Sequence, residues 1–192
     1  MFLWRFPSIL DKILRKGVEI LRKTILYIAV SLDGMIAAPN DDLSYLNGYD
    51  DYELVKSSYQ DLLNQIDTIM MGRKTYDYIL KFDPWPYQGF DTYVVTSHVM
   101  PSLHATLTSE TPSSLIKNLL KKEGKDIWVV GGSMLAQSLI KDDLIDEMVI
   151  ATIPTLLGEG IRLFGDTKMN LDCTKVQYEK GLILATYQRK KV

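Results

Sequence analysis

"DIWVVGGSML", residues 126–135, runs from β-branched and aromatic residues into two adjacent glycines and a small hydroxyl residue. The run before the glycines has the length and composition of a buried strand. The residues after them, "SMLAQSLIK" (133–141), carry apolar side chains at helical spacing. The stretch therefore reads as a strand-to-helix junction without side chains at the crossing. In open α/β sheets such junctions lie at the carboxyl ends of the strands, where helix N-termini direct unpaired N–H groups outward and ligands gather. Two readings fit the glycines: a floor on which a diphosphate touches the amides directly, or a tight turn that lets helix and sheet pack closely.

Strand and helix alternate on both sides of this junction. "TILYIAVSL" (24–32) is a strand closed by the turn Asp33-Gly34, and "YELVKSSYQDLLNQ" (52–65) a helix. "IDTIMMG" (66–72) is a strand, "RKTYDYIL" (73–80) a helix, "FDTYVVTS" (90–97) a strand and "PSSLIKNLLKK" (112–122) a helix. "IDEMVIATI" (145–153) is a further strand. This alternation predicts an α/β fold with a mixed, mainly parallel sheet covered by helices on both faces. "KVQYEKGLILATYQRKK" (175–191) ends it as an antiparallel hairpin turning at Lys180-Gly181. The polar stretch from Pro39 to Asp51 reads as a long loop, of the kind that serves as a lid.

With 192 residues, 46% of them hydrophobic, the chain has enough apolar surface for one domain, spanning 24–192. The first 23 residues hold six basic and two acidic side chains, a net of +4, and the remaining sixteen basic and twenty-two acidic residues give −6. That acidic excess over the domain argues against a nucleic-acid partner. The extension "MFLWRFPSILDKILRKGVEILRK" is basic and amphipathic, its charges leave no apolar run long enough to span a bilayer, and no small-residue cleavage site follows. It is expected to be a helix that packs on the domain or a second subunit, or one that lies on a membrane surface. A single cysteine, Cys173, excludes an internal disulfide and fits a reducing, cytoplasmic setting. No His or Cys cluster has zinc-ligand spacing, and no metal is expected; His98 and His104 read as turn residues.

A second junction, Met71-Gly72-Arg73-Lys74-Thr75, places two cations and a hydroxyl at another helix start. The helix dipole disfavours cations there, so an anionic ligand accounts for them better than solvation does. Taken in order, "IAVSLDGMIA" (28–37), "MGRKTY" (71–76), "YVVTS" (93–97) and "IWVVGGSML" (127–135) resemble the successive signature segments of the dihydrofolate reductase-like superfamily. "SLDGMIA" and "PTLLGEGIRLF" (154–164) resemble most the branch containing the C-terminal reductase domain of bifunctional riboflavin-biosynthesis enzymes.

The resemblance implies a dihydrofolate reductase-like fold that binds NADPH and reduces a C=N or C=O bond in a small heterocyclic or ribosylated substrate. It implies that Ala29 and Ile36 line the nicotinamide pocket, that Gly72, Arg73, Lys74 and Thr75 bind the adenosine phosphate and diphosphate, and that Thr96 and Ser97 hold the 2′-phosphate with Arg73. Gly131, Gly132, Ser133 and Met134 match the diphosphate turn. A homodimer follows from the same relatives.

On the substrate side, the folate enzymes' helix-opening acid and the lysine beyond it are matched by Asp51 and Lys56, with Asp50 and Glu53 as rivals. A buried carboxylate there would assist proton delivery, whereas an exposed one would be a helix-start residue favoured by the dipole. Phe90 stands where folate enzymes carry the arginine that grips a carboxylate, and the threonine they carry falls on or beside Ala151, with Thr152 one place off. Arg162 is the candidate cation for a substrate phosphate, or a solvated loop arginine. Trp85, with Tyr87 in "KFDPWPYQGF" (81–90), is either a wall for a flat heterocycle, a cover for the sheet edge or part of a dimer contact. Two alternatives to the riboflavin-type reductase remain open: a true dihydrofolate reductase and a non-catalytic NADP-binding protein.

Overall fold

The computed structural model describes residues 22–190, so the expectations for residues 1–21 lie outside the described residues. Ten strands and four α-helices follow in the order β1 (Thr24–Ser31), β2 (Met35–Ala37), α1 (Glu53–Gln65), β3 (Ile66–Gly72), α2 (Arg73–Ile79), β4 (Asp91–Val95), β5 (Thr106–Thr108), α3 (Pro112–Leu119), β6 (Asp126–Gly131), α4 (Ser133–Lys141), β7 (Glu147–Ile153), β8 (Ile161–Arg162), β9 (Leu171–Glu179) and β10 (Leu182–Arg189) among the described residues.

Eight of the strands form one sheet in the order β5-β4-β3-β6-β1-β7-β10-β9. Pairing is parallel from β5 through β7, and antiparallel where β10 joins β7 and β9 joins β10. The central strands are buried on both faces, which is why β1 and β3 read as near-continuous apolar runs. On one face Leu26, Val30, Met70, Val129 and Met148 pack against α3 and α4. On the other, Ile25, Ile69, Met71, Val94 and Trp128 meet Leu62 of α1 and Tyr76 and Ile79 of α2. The C-terminal hairpin turns at Lys180 and Gly181, whose φ values of 45° and 95° match the two-residue turn that suits twisted antiparallel strands.

The fold is thus the predicted mainly parallel α/β sheet with helices on both faces and a terminal antiparallel hairpin. Three features were not legible beforehand. β5 extends the parallel edge, and β2 and β8 form a separate antiparallel ribbon. Strands of two or three residues are too short to carry a periodic signal. The stretch after β2 is also not featureless, since it holds 3-10 turns at Pro39–Asp41 and Ser44–Leu46.

Candidate functional site

Parallel pairing sets Met71 beside Gly131, so β3 and β6 end side by side and α2 and α4 start next to each other. Gly72 and Gly132 are the residues preceding those helices, and neither helix start receives a side-chain cap. A Cβ built on Gly72 would lie 3.9 Å from Gly131 O and Gly132 N, and one on Gly132 would lie 3.8 Å from Thr75 Oγ1. Gly72, Thr75, Gly131 and Gly132 therefore form one surface of bare backbone with a hydroxyl at its edge. Gly131 has φ +135°, a conformation that strongly favours glycine, and the Gly131–Gly132 peptide is cis.

The other expected cofactor residues stand on elements neighbouring this surface. Gly72 pairs with Val95 of β4, which puts Thr96 and Ser97 one step beyond the same rim as Arg73. The Arg73 guanidinium donates to Asp77 Oδ1 at 2.7 Å within α2, and Lys74 Nζ lies 3.4 Å from Asp41 Oδ2. Ser133 is half-buried, and Met134 is exposed. Ala29 sits near the end of β1 beside Ala151 of β7, and Ile36 packs from β2 onto the cluster containing Val30 and Leu163.

The β2–β8 ribbon is braced at its base. The Asp33 carboxylate accepts the Ser31 hydroxyl at 2.5 Å and the backbone N–H groups of Leu157 at 3.1 Å and Gly158 at 2.7 Å. These bonds hold its pKa down at about 2. Arg162 donates to the Asp33 carbonyl oxygen at 3.5 Å, and the Gln137 amide of α4 donates to Leu163 O at 3.0 Å. A Cβ on Gly160 would lie 2.1 Å from Ala37 O, so only glycine lets the ribbon close.

The structure does not bring the expected substrate residues together. The side chains of Asp51 and Glu53 are 87% and 86% exposed and both face Lys56, at 3.5 Å and 3.7 Å; Asp50 is exposed as well. A buried carboxylate among these three is not what the fold builds, because the chain enters α1 along the surface. The carboxylate that meets the start of α1 is Glu179, whose Oε2 accepts the Leu54 N–H at 2.8 Å from the far end of the chain. Trp85 is buried between Tyr76, Tyr87 and His104, stacked on the imidazole at 5.0 Å. It covers the sheet edge on the α2 side, while Arg162 stays exposed on the ribbon. Phe90 packs into the same α2-side core.

Sequence reasoning also passed over Tyr45. Its hydroxyl approaches the carbonyl oxygens of Met35 at 3.3 Å and Ala29 at 3.5 Å, and burial pushes its pKa up to about 12. With Leu46, Tyr49 and Tyr52 it covers Ala29, Ala151 and Leu184. No signal in a polar loop marks such a residue, because its partners are 10 and 16 positions away along the chain. Among the described residues no group of three or more His, Cys, Asp or Glu side chains could hold a metal, and no helix is long and apolar enough to cross a membrane.

Comparison with known proteins places this arrangement. The chain is 37% identical over 161 residues to the uncharacterized protein YwjB of Bacillus subtilis (strain 168), covering 80% of this chain and 91% of that one. It is 32% identical over 182 residues to the uncharacterized protein YyaP of the same organism, covering 86% and 94%. Among solved structures, a protein of Shewanella sp. PV-4 whose name places it in riboflavin biosynthesis superposes with a TM-score of 0.79 at 31% identity, over 88% of this chain and 99% of that one. The diaminohydroxyphosphoribosylaminopyrimidine deaminase/5-amino-6-(5-phosphoribosylamino)uracil reductase of Thermotoga maritima shares the fold, with a TM-score of 0.68 at 13% identity. The match there covers 88% of this chain and 57% of that longer one. The model of the RibD C-terminal domain matches residues 22–182, and the chain belongs to that riboflavin-biosynthesis-reductase-like family.

Proposed function

We propose that this protein is an NADPH-dependent oxidoreductase that reduces a C=N or C=O bond in a small pyrimidine- or pteridine-like substrate, acting as a cytoplasmic homodimer. The observation that carries the reading is the bare-backbone surface shared by Gly72, Gly131 and Gly132, with Thr75 and the cations Arg73 and Lys74 at its border. The residues present fit a dinucleotide: side chains are missing where a diphosphate needs close approach, and cations stand where phosphates need charge.

In this reading Gly131, Gly132, Ser133 and Met134 hold the diphosphate, and Gly72, Arg73, Lys74 and Thr75 take the adenosine-side phosphates. Thr96 and Ser97 add hydroxyls at the 2′-phosphate. Ala29 and Ile36 shape the nicotinamide end, and the braced ribbon keeps Ile36 in place and water out. When bound, NADPH supplies the hydride. Asp51 is the proposed relay for the accompanying proton, with solvent as its source, since its side chain is 87% exposed. Arg162 is the cation available to a substrate phosphate. Trp85 acts through the packing of the α2-side core.

The exposure of Asp50, Asp51 and Glu53 favours one second reading, an NADP-binding protein without turnover. A true dihydrofolate reductase is less well supported, because the half-buried ring of Phe90 stands in place of the expected arginine. Titration with NADPH and with NADH, followed through tryptophan fluorescence, tests the cofactor. Binding of NADPH in preference to NADH is expected, and no binding of either rejects the proposal. Oxidation of NADPH with pyrimidine substrates but not with dihydrofolate identifies the riboflavin-type reductase; binding without turnover on either identifies the binder.

A further inference from the structure

The two cations at the start of α2 are neutralised in different ways. Arg73 pairs with Asp77 of its own helix, so that partner moves with it. Lys74 pairs with Asp41, 33 positions earlier, in the 3-10 turn that follows β2. Asp41 and its neighbour Asn40 are held at φ 58° and 64°, and the Ala38 N–H donates to Asp42 O at 2.9 Å, so the turn is a compact loop closed on itself. Three residues beyond Asp42, Tyr45 rests its hydroxyl on Ala29 O and Met35 O. One short segment thus reaches a cation at the phosphate side of the site and covers Ala29 at its other end.

We propose that Asp41 is a cofactor-affinity-determining residue: its carboxylate occupies on Lys74 the place of an anionic group of the cofactor, and cofactor binding exchanges one anion for the other, loosening the segment that holds Tyr45 over Ala29. The inference rests on the cofactor reading above. Its physical basis is competition for one ammonium group. A phosphate approaching Lys74 either displaces Asp41 or sits beside a carboxylate of like charge, and both lower its affinity. The pair suits an exchange because it is exposed, with side-chain exposures of 84% and 58%, and exposed pairs are weak. The contact with Tyr45 makes the exchange felt at Ala29, where the nicotinamide end is placed, so the cofactor's phosphates and the uncovering of that end are coupled.

Asp41→Asn removes the charge and keeps a residue that tolerates positive φ. It is expected to tighten NADPH binding roughly threefold to tenfold in fluorescence titrations, with the gain shrinking at high salt. In a Lys74→Ala background the same change is expected to gain much less, since only like-charge repulsion is then relieved, which ties the larger gain to this pair. Saturating NADPH is expected to speed amide exchange in residues 38–46 of the unmodified protein. Unchanged or weaker binding by Asp41→Asn overturns the proposal, as does an equal gain in the Lys74→Ala background or slower exchange in the segment. If the unmodified protein binds neither NADPH nor NADH, the cofactor reading itself fails and this proposal falls with it; if it binds NADPH but Asp41→Asn does not differ, only the competition is refuted.

Discussion

The Asp33 carboxylate accepts the Gly158 backbone N–H at 2.7 Å, joining the turn after the first strand to the turn after the seventh across 125 positions of sequence. It anchors the ribbon that carries Ile36 and Arg162. Because its folded pKa is lowered from 3.8 to about 2, the stabilisation it gives is complete above the ordinary carboxylate range and is lost as pH falls towards 2. Melting temperatures of the unmodified protein and of Asp33→Asn are expected to differ at neutral pH, to draw together as pH falls from about 4, and to meet only near pH 2. A gap that stays constant down to strong acid would show that the carboxylate's charge is not what braces the ribbon.

Arg22 makes the corresponding tie at the amino ends of the strands. Its buried guanidinium reaches Asp67 Oδ1 at 2.5 Å, Thr68 Oγ1 at 2.7 Å and the carbonyl oxygens of Lys125 at 2.5 Å and Leu119 at 3.3 Å. Removing it strands buried acceptors, so Arg22→Ala is expected to cost on the order of 3 kcal/mol in urea unfolding. A loss below about 1 kcal/mol would mean that water replaces the guanidinium at little cost.

The two glycines of the β6–α4 junction are expected to respond differently. Gly131 has φ +135°, so Gly131→Ala is expected to destabilise the fold by roughly 1–3 kcal/mol. Gly132 has φ −77°, and a Cβ there would meet only Thr75 Oγ1 at ordinary contact distance. Gly132→Ala is therefore expected to fold normally and to lower NADPH affinity about tenfold or more by filling the diphosphate floor, at ~1.4 kcal/mol per factor of ten. Unchanged affinity in Gly132→Ala would return the glycines to a packing role.

Trp85 separates a packing role from a substrate role. Buried against Tyr76, Tyr87 and His104, it is expected to cost about 3–5 kcal/mol when replaced by alanine, without altering NADPH affinity of the folded fraction. Normal stability together with a raised KM for substrate would place its ring in the substrate pocket instead.

Arg73 and Lys74 are expected to divide the cofactor's charge. Arg73→Ala is expected to reduce the preference for NADPH over NADH by roughly tenfold, since a lost charge-assisted contact to a phosphate is worth about 1.5–3 kcal/mol at most in a partly exposed site. An equal loss for both cofactors would move Arg73 from the 2′-phosphate to the diphosphate.

The sequence by itself determined the sheet and the two glycine-bearing junctions at the carboxyl ends of its strands. Strands buried on both faces must be continuous apolar runs, and the glycines at 131 and 132 and the cations at 73 and 74 follow their strands directly, so local pattern and chain order sufficed to locate them. Tertiary structure alone decided the rest. Asp51 had the right type and place for a helix-start carboxylate, yet Glu179 meets that helix start, because only folding brings β9 alongside α1. Asp33 with Gly158, Tyr45 with Ala29 and Asp41 with Lys74 are pairs of polar groups far apart along the chain. They leave no periodic trace, since hydrogen bonds between loops depend on where the packed core places the loop ends and not on the residues beside them.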